Sequence, residues 1–404
     1  MAISTLRPDT PAQLADAVRW ALSNEEPLEV RGRGSRRGLG RPVQAAHVLD
    51  LAGLSGVVAY EPEELILTVR GGTPLAEVLP LLADRNQHLA FEPPDLGPLL
   101  GLPAGGGTVG GLLACGLAGP RRIAAGSARD HLLGVEGVSG RGELYRSGAK
   151  VVKNVTGYDL PKLMAGSMGT LTAMTELTVK VLPAPEDTRT LLLAGLDEQA
   201  GVQALTRALQ SPHDVSGAAH LPEAVAEGSA VAAVAGLRAA VTAVRLEGFG
   251  PSVAARAAAL TAELGADRVL EREESLALWR EIRDVRCFAE SAEHHVWKLS
   301  VPPAAGPAVA EDIMVRLGDG RFYMDWGGGL IWLSVPPSAD PAAIRAAVTL
   351  TGGHATLVRA PDAVRAAVDV FQPQPAPLAA LAARVKESFD PKRVLNPGRI
   401  YAGV

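Results

Sequence analysis

The chain has 404 residues, 47% apolar and 21% charged, enough to bury two or three globular cores and too ordinary for a disordered or low-complexity polymer. Thirty-nine Lys and Arg stand against 44 Asp and Glu, a net charge of −5 spread evenly, so no basic stripe points to nucleic acid. Cys115 and Cys287 are the only cysteines, which excludes a disulfide framework and any four-thiolate metal or iron–sulfur site.

Residues 1–20 lack the basic and apolar regions of a secretory signal. Thr10 reads as a helix cap, with Pro11 at the first helical position and Gln13 where a capping box wants Glu or Gln. Leu14, Val18, Ala21 and Leu22 then share one face. Residues 24–27 break that helix, and the short strand 28–30 runs into Arg31-Gly32-Arg33-Gly34-Ser35-Arg36-Arg37-Gly38. A second strand, 65–69, ends at Gly71-Gly72, and Thr73-Pro74 opens a helix carrying Leu75, Val78, Leu79 and Leu82. Residues 93–119 are dense in glycine with little helical or strand period, and loops this long inside a domain usually bind something. Strands are expected at 132–138, before a turn at 139–142, and at 171–182, with Pro183 and Pro185 as a boundary. Beyond it, Ala-rich helices (199–209, 251–264) alternate with strands (243–248, 295–301, 330–335). The apolar stretch 224–244 is interrupted by Glu227 and Arg238 and makes a poor membrane span. A proline-rich connector, 372–377, precedes a last helix, 378–389, and the stop Asp390-Pro391. No internal repeat stands out. The chemistry and composition predict a soluble chain of a reducing compartment, with no nucleic-acid partner and no membrane insertion of its own.

Two glycine clusters carry the strongest chemical signal. In residues 31–38 the glycines free the backbone to turn several N–H groups on one anion, while Arg31, Arg33, Arg36 and Arg37 add donors suited to phosphate. Gly105-Gly106-Gly107-Thr108-Val109-Gly110-Gly111 permits an equally close approach, and two such loops suit a diphosphate better than a single phosphate. Either alone is equally well a flexible turn. The first lacks the Gly-Lys-Ser/Thr of a Walker loop. The second satisfies G-x-G-x-x-G without a preceding strand or a clean following helix, so no Rossmann domain is expected.

After these loops come Val69-Arg70-Gly71-Gly72-Thr73-Pro74-Leu75, Arg129-Asp130 with Leu133-Gly134-Val135, and Ala165-Gly166-Ser167-Met168-Gly169-Thr170-Leu171. Together the motifs resemble the FAD-binding domain of the vanillyl-alcohol oxidase and para-cresol methylhydroxylase (PCMH) superfamily. Further segments are the stretch from Val152-Lys153-Asn154 to Tyr158-Asp159-Leu160, Asp325-Trp326-Gly327-Gly328, and Gly352-Gly353-His354-Ala355-Thr356-Leu357. With the tail Leu395-Asn396-Pro397-Gly398-Arg399 they are more narrowly similar to the E-subunit family of bacterial glycolate oxidase, over nearly the whole chain. The resemblance implies an α+β fold. A two-subdomain PCMH-type FAD-binding domain (1–185) would precede a smaller α+β, ferredoxin-like cap domain (186–377), and a C-terminal helix and tail (378–404) would return to the first domain. It implies one FAD held by Arg31, Gly32, Arg33, Gly34, Ser35, Pro94, Gly106, Gly107, Thr108, Gly110, Gly111, Gly126, Asp130, Val135, Gly169, Thr170 and Asn396. Adenine would lie near Gly134-Val135 and the ring near residues 166–171. Attachment is expected to be non-covalent, because the first loop has Ser35-Arg36 where covalent members carry His, and Cys115 reads as a small buried residue. A larger FAD-binding catalytic subunit and an iron–sulfur subunit are the implied partners, together oxidising glycolate to glyoxylate. The implied location is cytoplasmic, or peripheral at the inner membrane through the complex.

Oxidising an α-hydroxy acid needs a hydride acceptor, a base for the hydroxyl proton and a cation for the carboxylate. Related single-chain 2-hydroxy-acid dehydrogenases supply histidines, often with a metal, from a Gly-His-x-Gly-Asp-Gly-Asn-x-His strand. The matching stretch here is 324–332, where Asp325 and Trp326 stand in place of imidazole. An indole N–H neither ligates a metal nor accepts a proton, so no metal is expected. Arg283 is the closest match to the family arginine that holds the substrate carboxylate. His354 is the candidate base, with His294-His295 as another imidazole source, while Asp159 and Lys153 would order backbone near the ring. The expected role is electron relay or assembly rather than the main turnover site for a small 2-hydroxy acid. The alternatives are a self-sufficient D-2-hydroxy-acid dehydrogenase, a non-catalytic interaction subunit, and the flavin subunit of a molybdenum hydroxylase. The intact glycine loops argue against the second, and the Asn396-Pro397-Gly398 tail against the third.

Overall fold

The computed structural model describes residues 4–148 and 158–403; Lys153 and the motif residues around it lie outside the described residues. The N-terminal helix, Pro11–Asn24, starts as its sequence directs, with the Thr10 hydroxyl accepting from Gln13 N–H. Gln13 reaches one residue further back than a standard box, accepting from Asp9 N–H at 2.8 Å. Leu14, Ala15, Val18 and Ala21 are buried, and Glu25 ends the helix in the left-handed region at φ 56°.

Three short parallel strands follow, with His47–Asp50 between Ser4–Leu6 and Leu28–Arg31. A five-stranded antiparallel sheet packs beyond them, in the order Val57–Glu61, Ile66–Arg70, Thr172–Lys180, Leu132–Ser139, Leu144–Gly148. The glycine-dense stretch, which falls in the chain between strands Ile66–Arg70 and Leu132–Ser139, is less irregular than its sequence predicts. Val109–Cys115 is a helix, capped by the Thr108 hydroxyl accepting from Gly111 N–H. Two glycines in its first turn lower helix propensity and mask it. Gly110 is nonetheless required there, since a methyl group on it would sit 2.5 Å from the Gly71 carbonyl oxygen.

The remainder builds one eight-stranded antiparallel sheet in two βαββαβ halves. In the first half the strands lie in the order Arg268–Leu270, Asp187–Ala194, Val241–Gly248, Val215–Leu221; in the second, Arg321–Asp325, Leu330–Val335, His295–Ser300, His354–Arg359. Numbered along the chain, each half reads 4-1-3-2 from its outer to its inner edge or the reverse, the ferredoxin-like arrangement. A single pairing, His220 with Met324, joins the two. The chain therefore contains a structural duplication, where the sequence suggested no repeat.

Strand alternation sends two rows of side chains to opposite faces. Leu191, Val244 and Leu246 pack under the helices Glu198–Gln210 and Gly250–Leu264, while Leu299, Ile331 and Leu333 pack under Gly306–Leu317 and Pro341–Thr349. The other face carries Ala219, Ala243, Val296, Tyr323 and Trp332, which join Leu39, Leu96, Leu99 and Met168 in one core. The sheet thus turns one face to the N-terminal part of the chain. The last helix, Ala376–Phe389, comes back to that part as well. The buried Lys386 ammonium donates to the Thr170 and Leu395 carbonyls and to Asp390, and Leu395 bridges to Leu28.

Candidate functional site

A cleft with about 770 Å³ of empty space, open solvent included, lies where strand Leu28–Arg31 delivers the arginine–glycine loop against the second glycine cluster. The two loops touch: a methyl group on Gly32 would meet Thr108 Oγ1 at 2.7 Å. Asn396, itself at φ 45°, clamps the cleft floor. Its side-chain oxygen accepts from Val30 N–H and its amide donates to the Met168 carbonyl, both at 2.8 Å. Arg399 donates to the carbonyls of Arg36 and Arg37 at 3.1 Å, fastening the C-terminal tail to the first loop.

The arginines of this loop differ in what they hold. Arg37 is engaged with Glu29 through two bonds of 2.6 and 2.9 Å. Arg36 lines the cleft with a buried Nε that has no hydrogen-bond partner, and burial pulls its pKa below the usual arginine value. Asp95 favours its charged form from outside ion-pair distance, and a buried guanidinium so placed is costly unless a ligand supplies a closer counter-charge. That orphaned donor and a cradle too tight for Cβ atoms fit a diphosphate.

Of the residues expected to hold FAD, Arg31, Gly32, Arg33, Gly34, Ser35, Thr108, Gly110, Gly111, Gly169 and Asn396 line this cleft, together with Met168, Met174 and Cys115. Gly107 stands behind it, where a methyl group would press on Arg36 Nη1 at 2.8 Å, and Gly106 packs at Ser35 Cβ. Pro94 lines a second cavity instead. Gly126, Asp130, Val135 and Thr170 do not line the cleft. Asp130 closes a capping box with Ser127, which holds its carboxyl below the usual range, and Gly126 packs against it. Val135 points into the core, and the Thr170 hydroxyl donates to the Ser167 carbonyl.

The second cavity, about 640 Å³, adjoins the first through Cys115 and Met168 and opens on the front face of the duplicated sheet. Its walls are apolar apart from Lys298 and Thr356, with Leu96, Leu117, Trp332 and Phe371 among them. Register places Thr356, Lys298, Trp332 and Tyr323 in one row across four strands. The Lys298 ammonium lies 5.0 Å from the Trp326 ring centre, and the Arg122 guanidinium 4.5 Å from the same ring. Among the described residues no carboxylate stands at ion-pair distance from Lys298. Burial, then the Arg122 charge, pulls its pKa down to about 8 against the pull of Asp325. Burial also raises the Asp325 carboxyl to about 7 and pushes the Cys115 thiol up.

Neither residue expected to act on substrate lines either of these two cavities. Arg283 is paired with the Asp284 carboxylate through two bonds of 2.8 Å, and Asp284 also accepts from Asp95 N–H. His354 is exposed on the edge strand, its pKa lowered by desolvation, Lys298 and Arg122. His294 bonds Ser334, His295 is buried with a partnerless Nε2, and Asp159 is exposed. Lys298 is the residue that sequence reasoning missed. Its signal was available: on strand His295–Ser300 the alternation places it on the same face as Val296, hence inside.

A buried ion network joins the N-terminal part to the first half of the sheet. Arg245, fully buried, donates to both oxygens of Glu92 at 2.9 and 3.0 Å and stacks on Trp279, while Arg121 reaches Glu247 at 2.6 Å. These arginines hold the Glu92 and Glu247 carboxyls below the usual range although burial opposes it.

Comparison with known proteins agrees with this geometry. A family model described as an FAD binding domain matches residues 3–148. Glycolate oxidase subunit GlcE of Escherichia coli (strain K12) is 34% identical over 394 residues, covering 98% of each chain. Glycolate oxidase subunit GlcD of Bacillus subtilis (strain 168) is 29% identical over 190 residues, 47% of this chain and 39% of its own. Among solved structures, a p-cresol methylhydroxylase with substrate bound superposes with a TM-score of 0.67 over 98% of this chain and 88% of that one, at 15% identity. At that identity the likeness shows the PCMH-type fold alone.

Proposed function

The chain belongs to the family of glycolate oxidase subunit GlcE, and from that membership we propose that it is the FAD-binding subunit of a glycolate oxidase complex, relaying electrons or completing the assembly while turnover is centred on a larger flavin subunit. When bound, FAD supplies an acceptor that takes up an electron pair and can release electrons singly. Residues 31–36, Thr108, Gly110, Gly111, Gly169 and Asn396 hold it, with Arg36 meeting the diphosphate charge. Attachment is non-covalent: the first loop has no histidine, and Cys115 stays a protonated thiol because burial disfavours its thiolate. With two cysteines in the chain, an iron–sulfur partner carries any cluster. Among the described residues no helix is long and apolar enough to cross a membrane; contact with the inner membrane belongs to the partners.

One observation carries the relay reading. Among the described residues, the cavity beside the cofactor cleft is lined by no carboxylate and no imidazole, and Lys298 and Cys115 are its titratable groups. It thus lacks the usual acceptors for the hydroxyl proton that oxidation of a 2-hydroxy acid releases. The test is anaerobic mixing of the purified, flavin-loaded chain with glycolate and with D-lactate. The flavin spectrum should stay oxidised until the larger subunit is added. Rapid bleaching of the isolated chain by either acid would establish a self-sufficient dehydrogenase instead.

A further inference from the structure

Among the described residues, the second cavity is lined by no carboxylate and no imidazole, yet it holds a cation. Lys298 sits in mid-sheet between Trp332 and Thr356, in a row that otherwise packs apolar surface against the N-terminal part of the chain. An ammonium in such a place is normally neutralised by a carboxylate or replaced by an apolar side chain. Here it has only the Trp326 ring, and Arg122, which has no ion-pair partner among the described residues, shares that ring. The nearest acid, Asp325, is committed to the Trp326 N–H at 2.7 Å, and burial favours its protonated form. His354 stands two residues from Thr356 on the same strand, and desolvation, then Lys298 and Arg122, depress its pKa.

We propose that this cavity is a binding pocket for a small carboxylate anion, with Lys298 as its charged anchor and the Thr356 hydroxyl as a neighbouring donor. The geometry favours a carboxylate over a phosphate. One ammonium and one hydroxyl between apolar walls match a small carboxylate, whereas the many-donor cradle that suits phosphate is in the other cleft. The choice of 2-hydroxy and 2-oxo acids within that class rests on the proposed function; the presence of an anion pocket does not. The chain would then bind an acid of the substrate class without oxidising it, one cavity away from its cofactor.

The pH dependence follows from the groups that face Lys298, which are Arg122, Asp325, His354 and the Cys115 thiol. An anion binds the ammonium form and is repelled by an ionised Asp325, so affinity should fall as pH rises through about 7 and again through about 8.

The experiment titrates the flavin-loaded full-length chain with oxalate, a carboxylate that cannot be oxidised as an alcohol, by calorimetry and by perturbation of the flavin absorption band. Sodium sulfate at matched ionic strength is the second arm. Lys298→Met should weaken oxalate binding by about 10- to 100-fold, and Lys298→Arg should restore most of it. Lys298→Met binding oxalate as tightly as the natural chain would overturn the proposal. So would sulfate competing on equal terms, or a yellow chain that gives neither heat nor spectral shift with oxalate; that last result would leave the FAD assignment standing. A chain that purifies colourless and refuses FAD yet shows Lys298-dependent oxalate heat would overturn the proposed function and support the pocket.

Discussion

In the first half of the duplicated sheet, the front-face row reads Leu270, Thr190, Arg245, Gly217; in the second it reads Thr356, Lys298, Trp332, Tyr323. Each row holds one cation beside one tryptophan, since Trp279 lies over Arg245 and bonds Thr190 from the helix Arg272–Arg283. Their electrostatics diverge. Arg245 has Glu92 from the N-terminal part, Glu247 from its own strand and Ser216 as partners, whereas Lys298 faces a cavity. Two copies of one architecture have thus been put to different uses. One fastens the duplicated sheet to the N-terminal part of the chain, and the other leaves a charge free for something that arrives from outside.

The sharpest way to break this comparison is to remove Glu92. Among the described residues, Glu92→Ala leaves Glu247 as the one carboxylate facing the buried Arg245 and Arg121 and should cost about 3–5 kcal/mol in denaturant unfolding, with much of the loss recovered in Glu92→Met combined with Arg245→Met. Because the folded-state pKa of Glu92 is depressed, its stabilisation exists above the unfolded carboxylate range and disappears as pH falls through the folded value. Acid should therefore narrow the gap between the natural chain and Glu92→Ala. An unfolding midpoint unmoved by Glu92→Ala would contradict the fastening role.

Lys298→Met should have the opposite sign. Its folded pKa is lowered to about 8, so between that value and the ordinary lysine range the unfolded chain binds more protons and stability rises with pH. At neutral pH the variant should be more stable than the natural chain by about 1–3 kcal/mol, and the advantage should vanish in strong alkali. Destabilisation at every pH would place Lys298 in the same structural class as Arg245. Arg36 extends the comparison into the cofactor cleft. Arg36→Met should weaken FAD retention by about 10- to 100-fold on dilution, followed by flavin fluorescence, while the apoprotein unfolds no more easily than the natural one. A matched loss of stability in the apoprotein would mean that Arg36 braces the loop rather than holding a ligand.

How much of this was written in the sequence depends on whether the signal was local. Thr10, Pro11 and Gln13 specify a helix start without help from the rest of the fold, and the Arg31–Gly38 loop announces an anion site by composition alone. The helix Val109–Cys115 was hidden because Gly110 and Gly111 are there for a contact with Gly71 and for the cap, both made by distant or backbone atoms. The duplication was hidden for a related reason. The two halves share the order and pairing of their elements but not the residues in matching rows, and backbone pairing leaves no trace in side-chain identity. Arg283 had the right chemistry for a carboxylate, yet its neighbour Asp284 occupies it, and Lys298 carries no motif because what matters about it is the empty space it faces.

The position of Asn396 has a consequence for biosynthesis. The amide that joins strand Leu28–Arg31 to the turn at Met168 comes from 366 residues further along the chain than Val30. Synthesis has to pass Asn396 before the floor beneath the two glycine loops is complete. A polypeptide stopped short of that residue, however well its earlier segments fold, lacks the piece that closes the coenzyme's seat.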